Sequence, residues 1–455
     1  MHSKKQNFFH ILSSPLVIGT IFLTGAGILS RMIGFFYRIF LSRTIGAESL
    51  GLYQLVFPVL TLLFAVCSSG IQTSISKHVA GAVGSAAENP SGRKNARRYL
   101  AAGLLYSLIL SVLFSGILYF FSDWIALHLL GESRCAKLLV IMSFSLLPAS
   151  IHSCINGYYY GLKKASVPSG SQLAEQLARV LGVYLIYKIL DQNGQNITEV
   201  HAVWGLVIGE VCGLLYSLTA LGLERRQKNP AADHTKLLST PKVLREIGIM
   251  AIPLTANQAL VHLCSSIENM LIPQRLQAYG YTSGEALAVY GVLSGMAISI
   301  IFFPGVLTNS ISVLLLPSIS EAHARGQAPL IRKAVSRAIF YGLALGGVFT
   351  VVFFFSGNFI GNVIFSNALA GELIRRLGWL CPMMYVYSLL SSVLHGLGKA
   401  KYVLFINLLA SGIRIGIILT LVPAYGLSAV LWGMLLSQLF AAIAAIILVT
   451  RWNRE

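Results

Sequence analysis

Apolar runs long enough to cross a lipid bilayer recur along the whole chain. In hydrocarbon every backbone polar group must be satisfied internally, so such runs fold as helices. Twelve are predicted, near 15–41, 50–76, 99–121, 138–162, 169–190, 200–222, 246–273, 286–316, 334–355, 377–397, 402–422 and 426–450. Each has the length of about 20 residues that crosses ~30 Å of lipid. Composition agrees: of 455 residues, 55% are hydrophobic and only 11% charged, against roughly 25% charged in a soluble domain. Disorder, collagen-like repeats and a disulfide scaffold are excluded, and no room remains for a soluble domain. The fold class is an all-α integral membrane protein with 12 transmembrane helices.

The net charge of +18 would suggest a nucleic-acid partner in a soluble protein. Here it reads as membrane orientation. With the N-terminus in the cytoplasm, twelve spans return the C-terminus to the same side. The cytoplasmic connections then carry 23 cations, among them Lys4, Lys5, Arg93, Lys94, Arg97, Arg98, Lys163, Lys164, Lys399 and Lys401. The outer side carries six: Arg43, Arg134, Lys137, Arg275, Arg375 and Arg376. Both termini are therefore expected in the cytoplasm. Lys4 and Lys5 before an apolar run resemble the start of a signal peptide, but no A-x-A site follows, so the run is read as a retained first helix.

The longest polar connection divides the spans six and six. The expected domains are an N-lobe (1–223), a cytoplasmic linker (224–245) and a C-lobe (246–455). The halves also resemble each other in sequence. Ala47-Glu48-Ser49-Leu50-Gly51-Leu52-Tyr53 recurs as Gly284-Glu285-Ala286-Leu287-Ala288-Val289-Tyr290. Tyr160-Gly161-Leu162-Lys163-Lys164-Ala165 recurs as His395-Gly396-Leu397-Gly398-Lys399-Ala400, Arg179 matches Arg414, and Trp204-Gly205 matches Trp432-Gly433. An even number of spans per half makes these parallel repeats, related by an axis along the membrane normal. Such a pair is expected to enclose a central cavity that opens to either face by rocking, which favours an alternating-access transporter.

Ionisable groups inside a span are costly unless they face a cavity or a partner. Arg31 and Arg38 are seven apart in the first span, on one helical face. Forked guanidinium groups suit phosphate oxygens; the alternative is that both hold carbonyls or glutamates. In span five Glu175 and Arg179 stand i, i+4 and can neutralise each other. Arg414 has Ala410 at the place of that glutamate, so it needs a partner from another helix, a cavity or a ligand. The expected substrate-binding residues are Arg31, Arg38, Arg179 and Arg414, and the ion-coupling candidates are Glu175 and Glu268. Glu210, beside Gly209 and Gly213, is read as packing. Lys188 lies close enough to the outer end of its span to snorkel.

Pro148 and Pro382 fall in corresponding spans and are hinge candidates, with static kinks as the alternative. His152, His262 and His395 show no metal-ligand pairing and read as polar packing residues. The six cysteines show no C-x-x-C spacing and read as core residues. Neither a metal site nor a cofactor is predicted, coupling to Na⁺ or H⁺ aside. Phosphate-loop, Ser-His-Asp and helix-turn-helix patterns are absent.

The stretch Ser30-Arg31-Met32-Ile33-Gly34-Phe35-Phe36-Tyr37-Arg38, followed by Leu41-Ser42-Arg43-Thr44-Ile45-Gly46-Ala47 and Gly51-Leu52-Tyr53-Gln54-Leu55, carries a family resemblance. So do Ser69-Gly70-Ile71-Gln72-Thr73-Ser74-Ile75-Ser76, Phe303-Pro304-Gly305-Val306 and Leu316-Pro317-Ser318-Ile319-Ser320. Over nearly its whole length the chain resembles the stage V sporulation protein B-like branch of the polysaccharide transporter family. That branch belongs to the multidrug/oligosaccharidyl-lipid/polysaccharide (MOP) exporter superfamily and is related to the lipid II flippases. The resemblance implies a MATE-like, V-shaped fold of two six-helix lobes. It implies a flippase that moves undecaprenyl-pyrophosphate-linked glycans, peptidoglycan precursors or other cell-wall oligosaccharides, from the inner to the outer leaflet. A pyrophosphate-binding role is carried over to Arg31. The second basic residue of the lipid II flippases falls at Tyr37, one position before Arg38, and Leu293-Ser294-Gly295 lacks the charge those flippases have in helix eight.

The expected setting is the bacterial cytoplasmic membrane, with a lipid-linked glycan as substrate, membrane lipids around a monomer, and glycosyltransferases or cell-wall synthases as partners. No enzymatic activity is expected. Three other readings compete. A multidrug antiporter of the same fold should have an acidic or aromatic cavity; a glycan-processing membrane enzyme needs paired catalytic groups that the short outer loops lack; a channel needs a filter-like segment.

Overall fold

The computed structural model describes residues 15–84, 92–226 and 239–452, and all regular structure among them is helical. Much of the expected linker, together with Lys4, Lys5, Lys228, Lys236 and Arg454, lies outside the described residues. We number the main helices α1 (Pro15–Thr44), α2 (Gly46–Gly84), α3 (Gly92–Phe120), α4 (Cys135–Gly161), α5 (Ser166–Gln192), α6 (Glu199–Arg226) and α7 (Thr240–Tyr279). They continue as α8 (Ser283–Phe302), α9 (Gly305–Ala324), α10 (Ala328–Phe359), α11 (Ala368–Leu377), α12 (Cys381–Gly396), α13 (Ala400–Thr420) and α14 (Leu427–Trp452).

Ten candidate spans are long and apolar enough to cross a membrane among the described residues. Two further helices have the length, α1 with 30 residues and α5 with 27. They carry Arg31 and Arg38, and Glu175 and Arg179, respectively. The eighth span is interrupted: α8 winds through a π turn over Gly291–Ala297 and stops at Phe302. Pro304 then removes a backbone donor, and α9 begins after it. The tenth span is a composite of α11, a 3₁₀ turn over Gly378–Leu380, and α12.

Packing divides the chain into two compact units, Met1–Gly34 with Val56–His262, and Phe35–Leu55 with Leu263–Glu455. In the first unit α4 is the central helix and touches α2, α3 and α6. In the second, α12 holds the same station and touches α9, α10 and α14. Lipid tails give apolar helices little reason to prefer one another, so small residues and hydroxyls supply the adhesion. A Cβ on Gly157 or Gly161 of α4 would stand 2.6 Å from the carbonyl oxygen of Gln72 or Ser76 on α2. Ser107 Oγ donates to the Cys67 carbonyl at 2.9 Å, and Ser115 Oγ to that of Ser143 at 2.8 Å.

The sequence repeat reappears as backbone geometry. After α4, Leu162, Lys163 and Lys164 N–H groups donate to Tyr158, Tyr160 and Tyr159 carbonyls at 3.0, 3.0 and 2.9 Å. After α12, Leu397, Gly398 and Lys399 donate to Val393, His395 and Leu394 at 3.0, 3.0 and 2.8 Å. Both turns place their middle residue in the left-handed region, Lys163 at φ 59° and Gly398 at φ 72°. This is one helix-ending motif built twice. Within the second unit, the other repeated segments cross each other. A Cβ on Gly51 of α2 would stand 2.1 Å from the Leu287 carbonyl oxygen on α8, and one on Gly291 2.2 Å from that of Ala47.

Candidate functional site

The intramembrane charges fall into three groups. In the first unit, Arg179 on α5 pairs with Glu175 one turn before it and with Glu210 on α6, 3.5 Å away. The Nε2 of His152 on α4 lies 2.9 Å from Glu210 Oε2 as a hydrogen bond and ion contact. Asn156 Nδ2 donates to His152 Nδ1 at 3.3 Å. Gly209 makes this assembly fit: a Cβ there would stand 2.8 Å from the Glu175 carbonyl oxygen and 3.1 Å from Arg179 Cβ. The ligand atoms of His152, Glu175 and Glu210 all lie within 4.8 Å of one another. With a neutral imidazole the cluster holds two carboxylates against one guanidinium, so it is one positive charge short of neutrality.

In the second unit, Arg414 Nε lies 2.7 Å from Glu268 Oε1. Its other nitrogens donate to Ser437 Oγ at 3.1 Å and Ser411 Oγ at 3.2 Å. The two arginines occupy matching stations in the repeat, but their partners come from different places. Ala410 stands where the first half has Glu175, Gln438 where it has Glu210, and Ser437 where it has Gly209. The missing acid is supplied instead by α7. Beside Glu268, Asn269 accepts a hydrogen bond from Tyr290 OH at 2.9 Å.

The third group is the first helix. By the same repeat Glu268 corresponds to a site near Ile33, where α1 offers no acid. A Cβ on Gly34 would meet Gln176 Nε2 of α5 at 3.1 Å. Arg31 is exposed, and no hydrogen bond or ion pair reaches it among the described residues. One turn earlier on the same face, a Cβ on Gly27 would meet no described atom within 4 Å. The neighbouring Ser30 hydroxyl is buried and has no hydrogen-bond partner. Arg38, two turns further on, donates to Ser299 Oγ on α8.

The arginines therefore divide. Arg179 and Arg414 are committed to carboxylates and Arg38 bonds a hydroxyl, while Arg31 stands open. His152 and Glu210, read from sequence as packing residues, join the cluster around Arg179. Both are ionisable and lie mid-span, but α5 separates their helices in the chain, and the packing of α4 on α6 brings them together. Pro148 lies inside the continuous α4, whereas Pro382 occupies the first turn of α12, following a 3₁₀ turn. The six cysteines are free, and Cys67, Cys135, Cys154 and Cys381 are buried.

A multi-pass helical bundle with repeated halves and charged clusters inside its spans has the architecture of the MOP-superfamily transporters. A multidrug resistance MATE family transporter of that superfamily, in its inward-facing conformation, superposes with a TM-score of 0.76 at 16% identity, covering 93% of this chain and 94% of that one. A MOP superfamily transporter from Pyrococcus furiosus superposes with a TM-score of 0.67 at 16% identity, covering 97% and 96%. The family described as polysaccharide biosynthesis protein matches residues 16–323, and the chain belongs to it. Stage V sporulation protein B of Bacillus subtilis (strain 168) is 26% identical over 430 residues, 93% of this chain and 82% of that protein. The lipid II flippase MurJ of the same organism is 23% identical over 423 residues, 86% and 74% of the two chains.

Proposed function

We propose that this protein is an alternating-access flippase that moves a polyprenyl-pyrophosphate-linked glycan from the inner to the outer leaflet of a bacterial cytoplasmic membrane, with both termini in the cytoplasm. The observation that carries this reading is Arg31. A guanidinium at bilayer depth costs several kcal/mol unless water or a ligand meets it, and no described group neutralises this one. A pyrophosphate supplies what it lacks, namely negative charge spread over oxygens that a forked donor can hold in pairs. Names among the relatives, a sporulation protein and a lipid II flippase, support a cell-envelope glycan as cargo. Arg38 continues the basic face of α1. Arg179 and Arg414 are held by carboxylates, so contact with the anionic headgroup falls to Arg31 and Arg38.

Ion coupling belongs to the paired acids. The Glu175 cluster lacks one positive charge, which H⁺ or Na⁺ would supply, and Glu268, held by Arg414, is the acid paired in the second unit. Substrate and ion then bias the access equilibrium only through their different affinities for its two states. An organic cation would have to displace Arg179 and His152 from Glu175 and Glu210, or Arg414 from Glu268, which disfavours an exporter of such cations. Binding to the purified protein separates the readings. A polyprenyl-pyrophosphate glycan is expected to bind and a cationic dye such as ethidium is not. Tight dye binding without glycolipid binding would favour the cation exporter.

A further inference from the structure

The second unit carries a pocket of about 390 Å³ lined by Phe354, Arg375, Arg376, Trp379, Trp432 and Leu435, with Ser428 and Leu431 beside them. That volume lies within the range of small-ligand sites. It lies where α10 ends, α11 runs and α14 begins, at the boundary of the apolar spans rather than at the intramembrane charges described above. Three features make it a built site.

First, the arginines are held in place. Helix α11 buries Ala370, Gly371, Leu373, Ile374 and Leu377 and turns Arg375 and Arg376 outward. Its backbone is clamped on α10 and the π turn Ile360–Ile364 that follows it: a Cβ on Gly361 would stand 2.2 Å from Gly371 N, and one on Gly357 3.1 Å from Arg375 N. Asn367 caps the helix by accepting from Ala370 N–H at 3.0 Å. Second, the charges are unequal. Arg376 pairs with Glu372 on its own helix. The Arg375 guanidinium lies 5.8 Å from the centroid of the Phe354 ring, a contact that leaves its N–H donors free. Third, Trp379 and Trp432 keep 60% and 62% of their surface exposed, as indoles do at headgroup level.

Arg375 and Arg376 also stand on the cation-poor side of the span count, so the orientation rule gives no reason for them. We propose that this pocket binds the headgroup of an anionic phospholipid. The phosphodiester oxygens meet the free donors of Arg375, Ser428 Oγ donates to the same phosphate, the two indoles flank the glycerol, and the tails run down the apolar face of Leu431 and Leu435. The charge count favours a lipid with one net negative charge over a zwitterionic one, whose amine would meet the same arginines. Basic pockets between spans recognise lipid headgroups on the cytoplasmic side of membranes, and Arg375 offers the same donor chemistry at the opposite end.

The test is native mass spectrometry of the full-length protein titrated with phosphatidylglycerol or phosphatidylcholine. The wild type is expected to retain phosphatidylglycerol preferentially, and Arg375→Gln to weaken that binding about fivefold with phosphatidylcholine unchanged. Ser428→Asp supplies an independent variant. It places a carboxylate at an exposed position in the first turn of α14, where a negative charge suits the helix, and is expected to abolish the preference. Equal retention of the two lipids by the wild type would overturn the proposal. So would unchanged phosphatidylglycerol binding in either variant. Displacement of phosphatidylglycerol by millimolar inorganic phosphate would assign the pocket to soluble anions and would overturn it equally.

Discussion

Arg414 on α13 and Glu268 on α7 meet at 2.7 Å, so the second unit neutralises its intramembrane guanidinium with an acid from a distant helix. Its counterpart Arg179 relies on Glu175 of its own helix and Glu210 of the next. Removing one member of a buried pair leaves the other charge stranded, at a cost of about 3–5 kcal/mol, whereas removing both is often close to neutral. Glu268→Ala is therefore expected to lower the unfolding temperature in detergent markedly. The double variant Glu268→Ala/Arg414→Leu is expected to recover most of that loss. A single variant as stable as wild type would show that the pair contributes no stability.

The cluster of His152, Glu175, Arg179 and Glu210 lacks one positive charge. Glu210→Gln removes the deficit, leaving Glu175 balanced by Arg179. Transport by this variant is expected to lose the dependence on H⁺ or Na⁺ that the wild type shows. The readout is glycolipid translocation against pH with Na⁺ absent, then present. A variant profile that follows the wild type would remove the cluster from coupling.

Lys163 sits at φ 59° in a turn where its repeat partner is Gly398 at φ 72°. A side chain in the left-handed region costs roughly 1–2 kcal/mol. Lys163→Gly is expected to stabilise the protein by about 1 kcal/mol, and Gly398→Ala to destabilise it by a similar amount. Thermal unfolding of the two variants checks the pair, with opposite signs as the expected result.

The crossing of α2 and α8 has no space for a methyl group at Gly51 or Gly291. Overpacking of this kind costs about 1–3 kcal/mol. Gly51→Ala and Gly291→Ala are each expected to lower thermal stability, while Gly25→Ala, with no described atom within 4 Å of the new Cβ, is expected to leave it unchanged.

Much of the fold was legible because lipid imposes a length. A run of apolar residues can only be a span, and the repeat at Lys163 and Gly398 survived in sequence because one turn geometry was needed twice. Pro304, a proline within a span, marked a bend that the structure shows as a full break, whereas the composite of α11 and α12 was not legible, since apolarity continues across its 3₁₀ turn. Site chemistry was readable where it is local: the Glu175–Arg179 spacing pointed directly to a pair. It was unreadable where it is tertiary. Nothing in the chain order ties Arg414 to Glu268, and His152 gained its meaning only when α4 packed against α6 opposite Glu210. The outward arginines of α11 were counted as charges on one side of the membrane, and their pocket with Trp379 and Trp432 emerged only from the packing of α10, α11 and α14.

The most direct test of the central claim is translocation of a fluorescent undecaprenyl-pyrophosphate oligosaccharide across vesicles that contain the purified protein. Wild-type protein is expected to move the label between leaflets well above the protein-free rate. Arg31→Ala is expected to abolish movement while folding normally, and Arg31→Lys, which keeps the charge but loses the fork, to restore only part of it. Translocation by Arg31→Ala at the wild-type rate would contradict the account.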